Sequence, residues 1–433
     1  MTGINTVTGW AVTAGALLAG ASSLSLAQGT FYTDVQRGLY MARAGDCASC
    51  HTAENGKPFA GGFPVPTPFG KIYSTNITPD KETGIGKWSD EDFYKAMHEG
   101  IRRDGKPLYP AFPYPWFTKM SREDVVAIKR YLDTIEPVKQ EDKPNELPWP
   151  LSIRSAMIGW NRLFFSPGEY QPREDKSDQW NRGAYLVNGT GHCAACHSPK
   201  NVFGAVKKGQ HLQGGDAGES WFAPSLGDGG RDGIGSWSTE DIVQYLKTGA
   251  NHDSHAAGSM IDVIMNSTQY LRDEDLEAIA VYLKDFPASP GDDKSGKKEG
   301  KSVEKPDEAV MERGKAIYVD NCMGCHMADG SGQKNTFPPL RESSAIHAEK
   351  ADTLIQVTLA GAKSADPATR PTGLEMPPFA WKLSDSEVAD VITYLRNAWG
   401  NQASPVSADE VSTVRQDVLE QGAPHVGALA SPY

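Results

Sequence analysis

All six cysteines of the chain fall into three copies of one pentapeptide, Cys-x-x-Cys-His. An even number of cysteines first suggests disulfides. In this spacing, however, both thiols can form thioethers with the vinyl groups of a haem, and the next histidine can bind the iron. We therefore predict three covalently bound haems c. The attaching pairs are Cys47 and Cys50, Cys193 and Cys196, and Cys322 and Cys325, and the iron ligands are His51, His197 and His326.

The first 27 residues predict export. They carry no charged side chain, contain the apolar run Ala11–Leu18, and end in the small-x-small sequence Ser25-Leu26-Ala27. This pattern predicts a secretory signal peptide over residues 1–27, although the usual basic residue is missing. We expect a periplasmic mature chain. Zinc binding or redox pairing explains a single Cys-x-x-Cys, but three copies in an exported chain favour haem.

Composition narrows the function classes. The chain has 433 residues, which predicts two to four domains. Its mean hydropathy of -0.47 excludes a polytopic membrane protein. Its net charge of -12 argues against a nucleic-acid partner, since phosphates attract basic surfaces.

Internal repeats predict three units that are mostly α-helical. An Arg-Gly pair precedes each motif, at 37–38, 182–183 and 313–314, and each unit closes with an amphipathic helix that starts near 121, 272 or 384. The expected order is a signal peptide at 1–27, a first domain at 30–140, a Pro-rich linker with an amphipathic segment at 141–175, a second domain at 176–286, a charged linker at 287–306, a third domain at 307–400 and a tail at 401–433. The tail shows one weak helix near Ala408–Gln421 and no obvious core.

Methionines are candidates for the sixth iron ligand, because Met/His ligation is common in c-type haem domains. The expected place is the loop before the last helix. Met376 lies there in the third unit and Met260 in the second, where Met265 is a weaker rival. A methionine that fills the core is the alternative at each position.

The first unit departs from this pattern. Phe112 stands where the methionine is expected, and a phenylalanine cannot bind iron. Met120, just before the last helix, is the nearest substitute. Met97, His98 and a five-coordinate iron remain alternatives.

The segment Pro150–Phe165 predicts an amphipathic helix. Ile153, Met157, Trp160 and Phe164 share one face of it. Two interpretations fit this pattern: an anchor that lies in the membrane interface, or a helix that packs between domains.

Several longer motifs are shared with a known family. They are TGIGKWSDEDF at 83–93, DGIGSWSTEDI at 232–242, YSTNITP at 73–79, LYPAFPY at 108–114 and WNRGAYLV at 180–187. With the three haem motifs, the chain resembles the triheme cytochrome c subunits of membrane-bound, quinone-reducing periplasmic dehydrogenases of acetic-acid bacteria. Enzymes of the alcohol, aldehyde, gluconate and fructose type belong to this group. The resemblance covers nearly all of residues 30–400.

The resemblance implies three tandem class I cytochrome c-like domains with long loops, and Met260 and Met376 as iron ligands. It implies an electron-transfer subunit that takes electrons from a catalytic partner and delivers them to ubiquinone. The partner would be a molybdenum aldehyde dehydrogenase or a quinoprotein alcohol dehydrogenase, with a small third subunit as an open question. The chain would lie peripherally on the outer face of the inner membrane and carry no substrate-oxidising site.

Two other functions compete with this one. A stand-alone, peroxidase-like haem enzyme would use an open iron in the first unit, where Phe112 replaces the methionine. A cytochrome arm of a terminal oxidase is the other. We find no dinucleotide fingerprint on a strand, which agrees with an electron-transfer role.

Overall fold

The computed structural model describes residues 33–227, 233–286, 305–334, 336–341 and 343–421. The predicted signal peptide and nearly all of the charged linker lie outside the described residues, as does the end of the tail. Within them, the chain forms helical units, and each unit carries one two-stranded antiparallel hairpin.

The first unit begins and ends with helices that cross. Its elements are α1 (Asp34–Ala44), α2 (Cys47–His51), β1 (Pro64–Thr67), β2 (Gly70–Tyr73), α3 (Asp90–Glu99), α4 (Tyr114–Phe117) and α5 (Arg122–Leu132). Helix α1 packs on α5 so closely that a Cβ on Gly38 would lie 1.9 Å from the Ala127 carbonyl oxygen. The glycine of the Arg-Gly pair therefore permits the crossing.

The linker contributes helix α6 (Ala156–Phe164), shorter than the predicted helix over 150–165. The second unit then repeats the first. It contains α7 (Asp178–Tyr185), β3 (Gln213–Gly218), β4 (Trp221–Ser225), α8 (Thr239–Thr248), α9 (Ser259–Asn266) and α10 (Asp273–Lys284). Helix α7 continues into one π-helical turn, Leu186–Thr190, and a 3-10 turn covers Cys193–Ala195. A second 3-10 turn, Thr268–Tyr270, precedes α10.

The third unit has the same frame. It contains α11 (Glu308–Asn321), α12 (Met323–His326), α13 (Ser344–His347), α14 (Asp352–Ala360), β5 (Ala362–Lys363), β6 (Glu375–Met376), α15 (Asp385–Leu395) and α16 (Ala408–Gln421). A Cβ on Gly183 or on Gly314 would lie 1.9 or 2.2 Å from a carbonyl oxygen of the crossing helix. The three units thus share one helix pair, as the repeats predict.

Helix α16 corrects the expectation of a tail without a core. Val411 and Val414 are buried in the hydrophobic cluster of the third unit. Arg415 holds the helix in place, because its Nε lies 2.6 Å from Asp385 Oδ1. The tail helix is therefore part of the third unit.

The first two units are joined by reciprocal hydrogen bonds. The hydroxyl of Tyr40 in α1 donates to Asp275 at the start of α10, and the hydroxyl of Tyr185 in α7 donates to Asp124 at the start of α5. All four side chains are buried. Each carboxylate also pairs with an arginine of its own unit: Arg37 Nε lies 2.6 Å from Asp124 Oδ1, and Arg182 Nε lies 2.7 Å from Asp275 Oδ1.

The third unit attaches to the second through hydrogen bonds and small apolar contacts. The Phe222 N–H donates to Thr353 Oγ1 at 2.9 Å, and the Thr353 hydroxyl donates to the Phe222 carbonyl at 3.3 Å. Ala365 of the third unit is buried against Ile261 and Ile264 in α9. The second unit therefore lies between the other two.

Candidate haem sites

Each Cys-x-x-Cys-His motif lies directly after its lead-in helix, on a short turn of helix. All six cysteines fall in the described part of the chain, and all are free thiols rather than disulfide partners. Disulfides, the first interpretation of six cysteines, are thus not formed. Free thiol pairs at this spacing are the groups that covalent haem attachment requires.

The three motif histidines share one hydrogen-bond arrangement. In each, ring Nδ1 lies against a backbone carbonyl oxygen: His51 on Thr75 at 2.7 Å, His197 on Pro224 at 2.8 Å and His326 on Pro338 at 2.9 Å. A carbonyl can only accept, so Nδ1 carries the proton. The lone pair is then on Nε2, the atom that would bind iron. A hydrogen bond of this kind fixes the ring orientation and strengthens the imidazole as a ligand.

Burial favours the ligating form of these rings. It lowers the pKa of His51, His197 and His326, and the hydrogen bond to the carbonyl offsets this only in part. A lowered pKa keeps the imidazole neutral at neutral pH, which metal binding requires. The residues therefore fit an axial haem ligand in all three units.

One glycine per unit completes the turn after the histidine, and sequence reasoning missed all three. Its N–H donates to the histidine carbonyl: Gly61 to His51 at 2.8 Å, Gly214 to His197 at 3.0 Å and Gly332 to His326 at 3.2 Å. These glycines have φ values of 74°, 76° and 61°, where other residues are strained. The spacing from the histidine differs in each unit, so no repeat in the sequence reveals them.

The candidate methionine of the second unit is positioned by the strand that also contacts His197. Met260 is half-buried in the first turn of α9. The preceding Gly258 packs on the Trp221 ring, 2.5 Å from where a Cβ would lie. Trp221 is in β4, the strand whose Pro224 carbonyl accepts from His197. One strand thus positions both candidate ligands.

The candidate methionine of the third unit is held by a hairpin. Met376 is half-buried in β6, where it pairs with Ala362 of β5. The chain then returns to α14, where the Phe379 N–H donates to the Thr358 carbonyl at 3.0 Å. The loop that carries Met376 is therefore fixed at both ends.

The first unit has no such loop methionine. The Phe112 ring packs edge-on against Phe117, with centroids 5.5 Å apart. Met120 is fully buried, and its Cγ lies 3.8 Å from where a Cβ on Gly189 of the second unit would stand. His98 stacks on Tyr94 at 4.8 Å in α3. Met120 therefore lies at the junction with the second unit.

The motifs of the first two units approach one another. Ser49, inside the first motif, accepts from Asn266 Nδ2 of α9 at 2.9 Å. Desolvation, together with the nearby Asp46 and Cys196 of the second unit, raises the pKa of the Cys50 thiol to about 12. Helix α9 thus carries Met260 at one end and touches the first haem motif at the other.

The second unit also approaches the motif of the third. Burial, together with the positive charge of Arg370 and the proximity of His326, lowers the pKa of His255, just before α9, to about 4. His326 is the candidate ligand of the third unit. The second unit therefore neighbours both other candidate sites.

Comparison with known proteins identifies the family. The cytochrome c family model matches residues 35–136 and 311–399, in the first and third units. Over 401 residues, the chain is 41% identical to the gluconate 2-dehydrogenase cytochrome c subunit of Pantoea cypripedii, covering 89% of this chain and 90% of the relative. The chain belongs to the cytochrome c subunits of bacterial dehydrogenases. The family that its motifs resemble is thereby confirmed, with its mostly α cytochrome c fold.

Other relatives of this cytochrome c subunit are named as subunits of dehydrogenases of different substrates. It is 39% identical over 425 residues to the cytochrome c subunit of the quinone-type alcohol dehydrogenase of Gluconobacter oxydans, covering 94% of this chain and 87% of the relative. It is 37% identical over 406 residues to the fructose dehydrogenase cytochrome subunit of Gluconobacter japonicus, covering 88% and 82%. Since the identities are similar, they show an electron-transfer subunit of an oxidoreductase but do not select a substrate. No helix of the described residues is long and apolar enough to cross a membrane.

Proposed function

We propose that this cytochrome c subunit takes electrons from a catalytic dehydrogenase subunit and delivers them to ubiquinone, using three covalently bound haems c. The observation that carries the proposal is the threefold arrangement of a free cysteine pair and a histidine whose Nδ1 donates to a carbonyl. Haem c supplies reversible one-electron chemistry at such sites. The chain's own residues hold the group and orient the axial imidazole.

The partner that we propose oxidises an aldehyde or an alcohol. It is of the molybdenum aldehyde dehydrogenase or quinoprotein alcohol dehydrogenase type, and a small third subunit accompanies it in one version of the complex. The complex lies on the periplasmic side of the inner membrane, with this subunit peripheral on the outer face. The sequence similarity to an alcohol dehydrogenase (quinone) subunit supports both the partner class and the acceptor.

Purification of the native complex tests this proposal. Under anaerobic conditions, acetaldehyde or ethanol should reduce the haems, which changes their absorption bands. A soluble ubiquinone analogue should then reoxidise them. Haems that neither substrate reduces would exclude an alcohol or aldehyde partner. Reoxidation of the haems by hydrogen peroxide but not by the quinone would support the peroxidase-like alternative, which the comparisons do not favour.

The first unit gives a separate test of ligation. We propose Met120 as its sixth ligand, and Met120→Ala should then create one iron that binds carbon monoxide. Met97→Ala is the matched control, because Met97 is also a buried methionine of this unit. Carbon monoxide binding by the unaltered protein would instead indicate an open iron in the first unit.

A further inference from the structure

Exposed apolar side chains gather in one part of the surface. Of the twelve large hydrophobic residues exposed in the described part of the chain, eight belong to the linker around α6 and to one turn of the second unit. They are Trp149, Leu151, Ile153, Ile158, Leu163, Phe164, Val202 and Phe203. Helix α6 has no buried residue, although it is mostly apolar. We call this set the apolar patch. Contiguous exposed apolar surface marks a contact site.

The two segments of the patch form one surface. The indole Nε1 of Trp160 donates to the Phe203 carbonyl at 3.0 Å. The rings of Phe164 and Phe203 stack with centroids 5.8 Å apart. The helix face predicted as the apolar one therefore packs on the second unit through Trp160 and Phe164. Ile158 and Leu163, 64% and 76% exposed, point elsewhere. The helix thus packs on the second unit and also presents an apolar surface.

Hydrogen bonds hold the turn of the patch in place. Asn201 Oδ1 accepts from the N–H groups of Phe203 at 2.9 Å and of Ala205 at 3.2 Å. The Asn201 N–H donates to the Ala205 carbonyl at 2.8 Å. Val202 at the tip is 83% exposed. A preorganised apolar tip pays little ordering entropy when it inserts into another phase.

The two stretches of chain that carry the patch contain basic residues and no acidic ones. The chain carries 55 acidic residues and a net charge of -12, yet residues 147–168 and 179–215 contain none. Arg162, Lys207 and Lys208 in these segments are exposed. Basic and aromatic residues beside apolar ones are the combination that binds the interface of an anionic membrane.

We propose that the apolar patch docks this subunit on the surface of an anionic lipid bilayer. Ile158, Leu163, Val202 and Phe203 enter the headgroup region, and Arg162, Lys207 and Lys208 contact lipid phosphates. The inference rests on the proposed function only in placing the subunit at a membrane. A protein surface as the occupant is an outcome that the test distinguishes.

Co-sedimentation of the haem-loaded, full-length chain with vesicles tests the apolar contacts. The vesicles are phosphatidylcholine alone or phosphatidylcholine with phosphatidylglycerol. Leu163→Asp with Phe203→Asp should weaken binding to the anionic vesicles at least about tenfold. The control, Trp381→Asp with Leu419→Asp, changes residues of 80% and 73% exposure outside the patch and should bind within about twofold of the unaltered chain. Ile158→Ser with Val202→Ser is a milder pair for the case that the aspartates prevent folding.

A second arm tests the charges. Lys207→Glu with Lys208→Glu should remove most of the preference for anionic vesicles. Lys81→Glu with Lys87→Glu makes the same change in net charge at two exposed lysines elsewhere and should keep the preference. Unchanged vesicle binding by both patch variants would overturn the proposal. Loss of binding to the purified catalytic subunit with vesicle binding intact would also overturn it, since the patch would be a protein interface. Substrate-driven haem reduction in detergent tests the electron-transfer role separately.

Discussion

The first and second units are joined by hydrogen bonds of buried carboxylates, whereas the third joins the second through hydrogen bonds of partly buried groups and a small apolar contact. All three use the same Arg-Gly pair on the lead-in helix. In the first two, a tyrosine follows three residues after the arginine and donates to a carboxylate of the other unit. In the third, Ala316 stands at that position and is exposed.

The same ion pair therefore has two environments. Side chains of Arg182 and Asp275 are 10% and 3% exposed, whereas Arg313 beside Asp390 is 57% exposed. A buried ion pair is costly to break because its remaining charge has no water, while a solvated pair contributes little. The same repeat thus forms buried hydrogen bonds between the first two units and a solvent-exposed ion pair in the third.

The largest expected loss of stability comes from breaking the buried ion pair. Asp275→Ala leaves Arg182 buried without its carboxylate and should lower the free energy of unfolding by about 3–5 kcal/mol. Asp390→Ala, the matched change in the third unit, should cost about 1 kcal/mol or less. Denaturant unfolding of the haem-loaded protein measures both. Equal losses would contradict the distinction.

The helix crossing should behave alike in all units. Gly183→Ala and Gly314→Ala both place a Cβ within 2.2 Å of a carbonyl oxygen, so each should destabilise its unit by about 1–3 kcal/mol. Gly159→Ala in α6 is the control, since nothing lies within 4 Å of a Cβ there, and it should be neutral or slightly stabilising. Thermal unfolding gives the comparison. Tolerance at Gly183 would show that the helices cross at a greater distance.

The tyrosine hydroxyls should contribute less than the ion pair. Tyr40→Phe and Tyr185→Phe each remove a donor from a buried carboxylate and should cost about 1–2 kcal/mol. Ala316→Tyr should change stability little, because that position faces solvent. Calorimetry measures the stability of the three variants. A loss in the two tyrosine variants alone would show that this hydrogen bond joins the first two units only.

The smallest effect concerns pH. His211 of the second unit lies with Nε2 2.7 Å from Asn188 Oδ1, and burial lowers its pKa below the ordinary 6.5. The unfolded chain then binds the proton more readily than the folded one. Stability from this group is complete above pH 6.5 and falls as the pH drops towards the lowered pKa. His211→Gln should flatten that slope in unfolding experiments between pH 7 and 5, taken as about the range below the unperturbed pKa.

The sequence predicts the closing helix of each unit well because the pattern that marks it is local. The closing helices predicted near 121, 272 and 384 begin at Arg122, Asp273 and Asp385, and serine caps start two of them. Their apolar spacing and caps lie within a dozen residues, which is the range over which helical patterns act.

Contacts between distant segments are what sequence reasoning could not supply. Tyr40 and Asp275 are 235 positions apart, and no pattern within one unit indicates that they meet. The sequence shows no obvious core for the tail, yet Val411 of helix α16 is fully buried by the third unit. Periodicity alone predicts the apolar face of α6. Periodicity finds a face but not what covers it.

Reductive titration of the purified chain tests the central claim most directly. A one-electron reductant is added anaerobically while the haem bands are followed, and covalently bound haem is measured on the same sample. Three motifs with the same histidine arrangement predict three haems and uptake of three electrons per chain. Two or fewer in a fully matured protein would contradict a three-haem electron-transfer subunit.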